Sequence, residues 1–165
     1  MRHVPVAAAL GCLVILASLM PAPGRAGERT QALQRVTNLQ ADATLSAKTH
    51  RPIIILFSLP GCRFCDEIRQ NYLLPLLNDG APADRPILRE IVINGSQQFT
   101  GFAGEKTTEP MVAKSYRVRV APSVLMLDAS GALLVPPVVG GDTSGLYGGY
   151  LSDALSQATR IVQGR

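Results

Sequence analysis

The run Ile53-Ile54-Ile55-Leu56-Phe57-Ser58-Leu59-Pro60-Gly61-Cys62-Arg63-Phe64-Cys65 decides how this chain is read. Its first five residues are continuously apolar and mostly β-branched, the pattern of a strand buried on both faces. Ser58-Leu59-Pro60-Gly61 reads as a turn. Beyond it, Cys65, Ile68, Tyr72, Leu73, Leu76 and Leu77 fall on one helical stripe. Two cysteines with two residues between them therefore stand where a buried strand gives way to a helix. Pro75 lies inside the stripe and predicts a kink or a break. Asn78-Asp79-Gly80 ends it.

On the N-terminal side, residues 28–48 mix polar positions with Leu33, Val36, Leu39 and Ala43, which predicts a helix closed by Arg51-Pro52. On the C-terminal side, Ile87 to Ile93 reads as a second strand and the polar, glycine-rich stretch 95–104 as a loop. Thr108-Glu109-Pro110 has the chemistry of a helix start, a cap followed by an early proline, with the helix running to about Tyr116. Ser123–Leu127 is a third strand, Asp128–Gly131 a turn and Ala132–Val135 a fourth strand, together a hairpin. After a loop over 136–149, Tyr150, Leu151, Ala154, Leu155, Ala158, Ile161 and Val162 trace a final helix. The order α-β-α-β-α-β-β-α predicts an α/β fold, a central mixed four-stranded sheet with helices on both faces.

The first residues read differently. Arg2 precedes an apolar run over 6–20, followed by Pro21, Pro23 and Gly24-Arg25-Ala26. This is the pattern of a secretory signal peptide cleaved after Ala26, which predicts a leader over 1–26 and one domain over 27–165. The run of about 15 residues falls short of the roughly 20 that span a bilayer, so an uncleaved signal anchor is the weaker alternative. The chain of 165 residues is 47% hydrophobic, enough to bury one core and to exclude disorder. Of its three cysteines, Cys12 lies in the leader, which leaves Cys62 and Cys65 as one pair in a disulfide-permissive compartment. Loss of Arg2 and Arg25 halves the formal charge of +4, so no nucleic-acid partner is indicated.

Cys62 at a helix N-terminus meets unpaired backbone N–H groups and the positive end of the dipole. In CxxC motifs thiol pKa values fall from about 8.5 to roughly 3.5–7.5. Cys62 is the candidate nucleophile and Cys65, one turn inward, the candidate resolving thiol. Cys62 would attack a substrate disulfide, and Cys65 would resolve the mixed disulfide. Three other uses of the pair stay open. A structural disulfide would close a very short loop and stabilise little. A zinc site would lack donors, with His50 the only histidine left after the leader. A copper(I) site would use the two sulfurs alone.

The strand, Pro60-Gly61-Cys62-Arg63-Phe64-Cys65, the kinked helix, Val120-Ala121-Pro122, the hairpin and the final helix together resemble the thioredoxin superfamily over about residues 28–163. Within it, the Pro-Gly-Cys-x-aromatic-Cys form and Pro75 resemble small exported bacterial thioredoxins associated with sulfur oxidation (SoxS and SoxW types). The resemblance implies a thioredoxin fold and a cis bond before Pro122, facing the cysteine pair. It also implies that the backbone of Ala121 pairs with the substrate chain. Arg63 and Phe64, between the cysteines, are read from the residues themselves as substrate-binding, Phe64 packing or touching substrate beside the sulfur. The implied activity is a periplasmic thiol-disulfide oxidoreductase that reduces protein disulfides or thiol adducts. It would act as a monomer, with no metal or other cofactor, fed by a membrane thiol-electron donor of the CcdA or DsbD kind. The alternatives are a disulfide oxidase or isomerase, and a copper(I)-handling binding module without turnover.

Departures from the family pattern are specific. Thioredoxin itself has tryptophan before the motif, Gly-Pro between the cysteines and a buried acid six residues before the first cysteine. Here those places hold Gly61, Arg63-Phe64 and Leu56. The resolving thiol thereby loses a proton acceptor, while Asp66 and Glu67 read as solvated first-turn residues that favour the helix start. Arg63, as one exposed cation, moves the redox potential by only a few tens of millivolts and does not decide its direction.

Overall fold

A strand apolar at every position needs cover on both faces, and β1 (Ile53–Ser58) has it: all six residues are buried. The computed structural model describes Met1 and residues 32–164. The expected leader and its cleavage point, together with Cys12, lie outside the described residues. Among the described residues the chain runs α1 (Leu39–Thr49), β1, α2 (Arg63–Ile68), β2 (Ile87–Val92), β3 (Gln98–Thr100), β4 (Lys106–Thr108), α3 (Glu109–Ser115), β5 (Ser123–Leu127), β6 (Val138–Val139) and α4 (Tyr147–Gln163).

Four of the strands form one sheet in the order β2-β1-β5-β6. β1 is parallel to β2 and antiparallel to β5, and β6 is antiparallel to β5. This is the expected mixed four-stranded sheet. Because side chains alternate across a strand, each sheet face collects one parity. Ile54, Leu56, Leu88, Val124 and Met126 pack with Ile68, Leu73, Tyr147, Leu151 and Ala158, on the side of α2 and α4. Ile53, Ile55, Phe57, Ile87, Ile91, Leu125 and Leu127 pack with Leu39, Val112 and Ala113, on the side of α1 and α3.

Pro75 acts as expected. Past Ile68 the helix widens into a π turn over Arg69–Leu73 and tightens into a 3₁₀ turn over Leu74–Leu77. A ring with no N–H to donate is accommodated at the start of that last turn.

Three expectations are corrected. Among the described residues, the helix expected over 28–48 is absent from 32–38 and begins at Leu39, where Asn38 caps it by accepting from the Ala41 N–H at 2.9 Å. The segment before it is extended: Val36 N–H donates to the Glu90 carbonyl, and Glu90 N–H to that of Gln34. Those bonds satisfy the open edge of β2, so Leu33 and Val36 are buried without being helical. Second, the loop expected over 95–104 contains β3, which pairs with β4 as a hairpin anchored by buried Phe99 and Thr107. Third, the strand expected at 132–135 stands at Val138–Val139. The turn at Asp128–Gly131 does reverse the chain, and Leu134 N–H donates to the Met126 carbonyl. Regular pairing resumes only after Pro136-Pro137, which lack the ladder donor.

Candidate active site

The site grows from the end of β1. Past Ser58 the chain turns through Gly61, whose φ of +69° is a conformation L side chains rarely adopt. Cys62 is the N-cap of α2, and its Sγ accepts from the Cys65 N–H at 3.2 Å. Its carbonyl accepts the first helical bond, from the Asp66 N–H at 3.1 Å. Cys62 and Cys65 are joined as a disulfide with Cα atoms 5.2 Å apart. The two cysteines differ in access: Cys62 is half-buried, whereas Cys65 is fully buried. A thiol released at Cys62 meets solvent, and one released at Cys65 stays inside.

Arg63 is exposed, and its guanidinium lies over the Phe64 ring, 4.8 Å from the centroid. Phe64 in turn packs on the backbone of Gly141. A Cβ placed there would come within 2.5 Å of the ring. Gly140 N–H donates to the Pro122 carbonyl at 2.8 Å. The 140–141 backbone therefore spans from the proline corner to the side of Phe64. The Ala121–Pro122 bond is cis. Phe57 pairs with Ser123 across β1 and β5, so Pro122 and the Leu59–Cys62 turn leave adjacent strands at the same end of the sheet. The structure thus brings Cys62, Cys65, Arg63, Phe64, Ala121 and Pro122 to that end.

Beneath the motif lies a group that the sequence reading passed over. Glu90 on β2 is buried and accepts from Ser58 Oγ at 2.5 Å, from Arg69 Nη2 at 2.6 Å and from Arg69 Nε at 3.1 Å. The Arg69 guanidinium also donates to the exposed Asp66 at 2.5 Å. These bonds, that to Glu90 above all, hold its pKa above the ordinary arginine value. The available signals were a glutamate inside the apolar run Ile87–Ile93 and an arginine four residues after Cys65. A second tie, from Tyr72 Oη–H to the Asp142 carboxylate, fastens the loop before α4 and lowers the Asp142 pKa.

No family model matches the chain, and no curated protein matches it by sequence. Among solved structures, a designed protein aligns with a TM-score of 0.50 at 17% identity, over 76% of this chain and 99% of its own. The reduced thioredoxin pre-protein of Schistosoma mansoni aligns with a TM-score of 0.50 at 12% identity, over 77% of this chain and 98% of its own. This is the thioredoxin fold. In this thioredoxin fold the position six residues before the first cysteine is Leu56, buried on the face of α2 and α4. The neighbouring strand carries Glu90 directly across from it.

Proposed function

We propose that the chain is an exported thiol-disulfide oxidoreductase that reduces protein disulfides or thiol adducts. The carrying observation is the Cys62–Cys65 disulfide at the start of α2, with one sulfur near solvent and the other fully buried. In the dithiol form, the Cys62 thiolate attacks one sulfur of a substrate disulfide. That bond breaks, the other substrate sulfur leaves as a thiolate, and a mixed disulfide forms. Cys65, deprotonated, attacks the Cys62 sulfur. The second substrate sulfur leaves, and the protein disulfide closes. Two electrons pass to substrate, and the released thiolates take up protons from solvent. The Cys65 N–H directed at Cys62 Sγ stabilises negative charge on that sulfur, as an N-cap donor does.

Arg63 and Phe64 flank the accessible sulfur, and the bend at Ala121 and cis-Pro122, just before β5, offers backbone to a substrate segment. Export is supported by the basic, apolar and small-residue order of the first 26 residues. An oxidising compartment then requires an outside electron source, a membrane thiol donor of the CcdA or DsbD kind. The Pro-Gly-Cys-x-aromatic-Cys form supports a place among exported thioredoxins associated with sulfur oxidation.

Equilibrating the pair against glutathione and reading it by thiol alkylation tests the direction. A potential below about −200 mV fits a reductase, and one near −120 mV would make it an oxidase. The Cys65→Ser variant is expected to hold partner proteins as mixed disulfides through Cys62. Copper(I) binding without insulin reduction would replace the proposal with a binding module.

A further inference from the structure

Glu90 ties the two flanks of the redox segment together. Ser58, which donates to it, is the last residue of β1, four positions before Cys62. Arg69, bound through Nε and Nη2, comes four positions after Cys65. The Arg69 N–H still donates to the Cys65 carbonyl, so the helical relation of the two residues is kept. Residues four apart share a helix face, and side chains lean toward the N-terminus. The Arg69 stem therefore runs back along the turn that carries Cys65. Its guanidinium is largely enclosed, with 14% of the side chain exposed, and Glu90 is more enclosed still at 8%. The other partner, Asp66, is 65% exposed, where an ion pair contributes little.

We infer that Glu90 is a positioning residue for the redox pair: by neutralising Arg69 it withholds that cation from the Cys62–Cys65 thiols and keeps the couple toward its reducing end. This rests on the reading of the pair as redox-active. A cation near a cysteine favours the thiolate. A favoured thiolate stabilises the reduced form and makes the disulfide a stronger oxidant. With Asp66 out in solvent, the enclosed Glu90 and Arg69 present a neutral pair to the thiols. Removing the carboxylate unmasks a positive charge, and removing the guanidinium leaves a negative one. A purely structural pair would respond to both losses in the same way, whereas a charge mask responds with opposite signs.

The test equilibrates the full chain with glutathione, where one protein disulfide and two glutathione thiols give the protein dithiol and one glutathione disulfide. Glu90→Gln, which retains an acceptor for Ser58, is expected to move the constant toward the dithiol by about three- to tenfold, tenfold being about 30 mV. Arg69→Met, which retains the stem, is expected to move it toward the disulfide by a like factor. Asp66→Asn is expected to stay within about twofold. Shifts of the same sign in Glu90→Gln and Arg69→Met, or no shift beyond twofold in either, overturn the inference. Should a single variant fail to fold, the apolar double variant Glu90→Leu/Arg69→Leu removes both charges at similar volume. It is expected within about twofold of wild type, and a larger displacement counts against the mask. Failure of the wild-type disulfide to exchange with glutathione at all overturns the oxidoreductase reading itself, a result distinct from any pattern among variants.

Discussion

Gly141→Ala probes the contact between α2 and the loop that follows β6. The added methyl would lie 2.5 Å from Phe64 Cδ1, 2.7 Å from Cγ and 3.0 Å from Cβ. Unstrained carbon contacts lie at about 3.5–4.0 Å, so a gap of about 1 Å must open. A ring tip alone could swing aside at little cost. Here the clash reaches Cγ and Cβ, the root of the side chain, and relief requires the first turn of α2 or the 140–141 backbone to move. That backbone is itself held by the Gly140 N–H bond to the Pro122 carbonyl. Forced overpacking of this kind costs about 1–3 kcal/mol. Urea unfolding of the oxidised protein reads the cost, and a double-mutant cycle with Phe64→Ala assigns it. With the ring gone only the Cβ contact remains, and the Gly141→Ala penalty is expected to fall below about 0.5 kcal/mol, leaving a coupling of about 0.5–2.5 kcal/mol. An equal penalty in both backgrounds would refute the argument.

Leu56→Asp places an acid where thioredoxin itself carries one, yet it is expected to destabilise the fold by more than about 3 kcal/mol. The new carboxylate would stand beside Glu90, one strand spacing away, whose one enclosed cation is already engaged. Unfolding within 1 kcal/mol of wild type would show that reasoning wrong. Tyr116 supplies an alkaline signature. Burial pushes its phenol up to about 12, and its Oη–H donates to the Gly131 carbonyl at 2.6 Å. In the unfolded chain it ionises near 10. Its contribution is therefore complete below pH 10 and is lost as pH rises toward 12, about 1–2 kcal/mol after discounting for its partial exposure. Unfolding midpoints from pH 9 to 12 should fall more steeply for wild type than for Tyr116→Phe, and parallel curves would count against it.

The parts of this fold that were legible in the sequence are those where one local pattern settles the matter. The unbroken apolar run Ile53–Phe57 reads as a doubly covered strand, and the stripe from Tyr150 to Val162 reads as α4, because burial imposes both patterns residue by residue. The cysteine pair reads from its place between the two elements. What stayed hidden is set by distant partners. Leu33 and Val36 keep helical spacing, but the edge of β2 claims the backbone of Gln34 and Val36 from more than 50 residues away in sequence. The shift of the last strand past Pro136-Pro137 depends on where β5 can receive it. Glu90 looks misplaced in a strand until Arg69 and Ser58 arrive from other elements, and only the alternation of faces shows that it lies beneath the motif. Phe64 was legible as a residue beside the sulfur, but not its glycine seat at Gly141.

Arg89 and Glu90 are adjacent in sequence and point through opposite faces of β2. Arg89 binds Asp42 of α1 at 2.5 Å, and Glu90 binds Arg69 behind α2. Together they act as a registration key. Sliding β2 by one residue along β1 would turn Glu90 toward α1 and Arg89 toward α2. Both charges would then be enclosed among the wrong neighbours, at a cost of about 3–5 kcal/mol for each pair broken. The apolar residues of β2 alone would not forbid such a slip, since isoleucine, leucine and valine stand on both sides of the strand. Two side chains of opposite sign thus specify the one alignment in which the strand can close, and the level at which the cysteine helix sits follows from it.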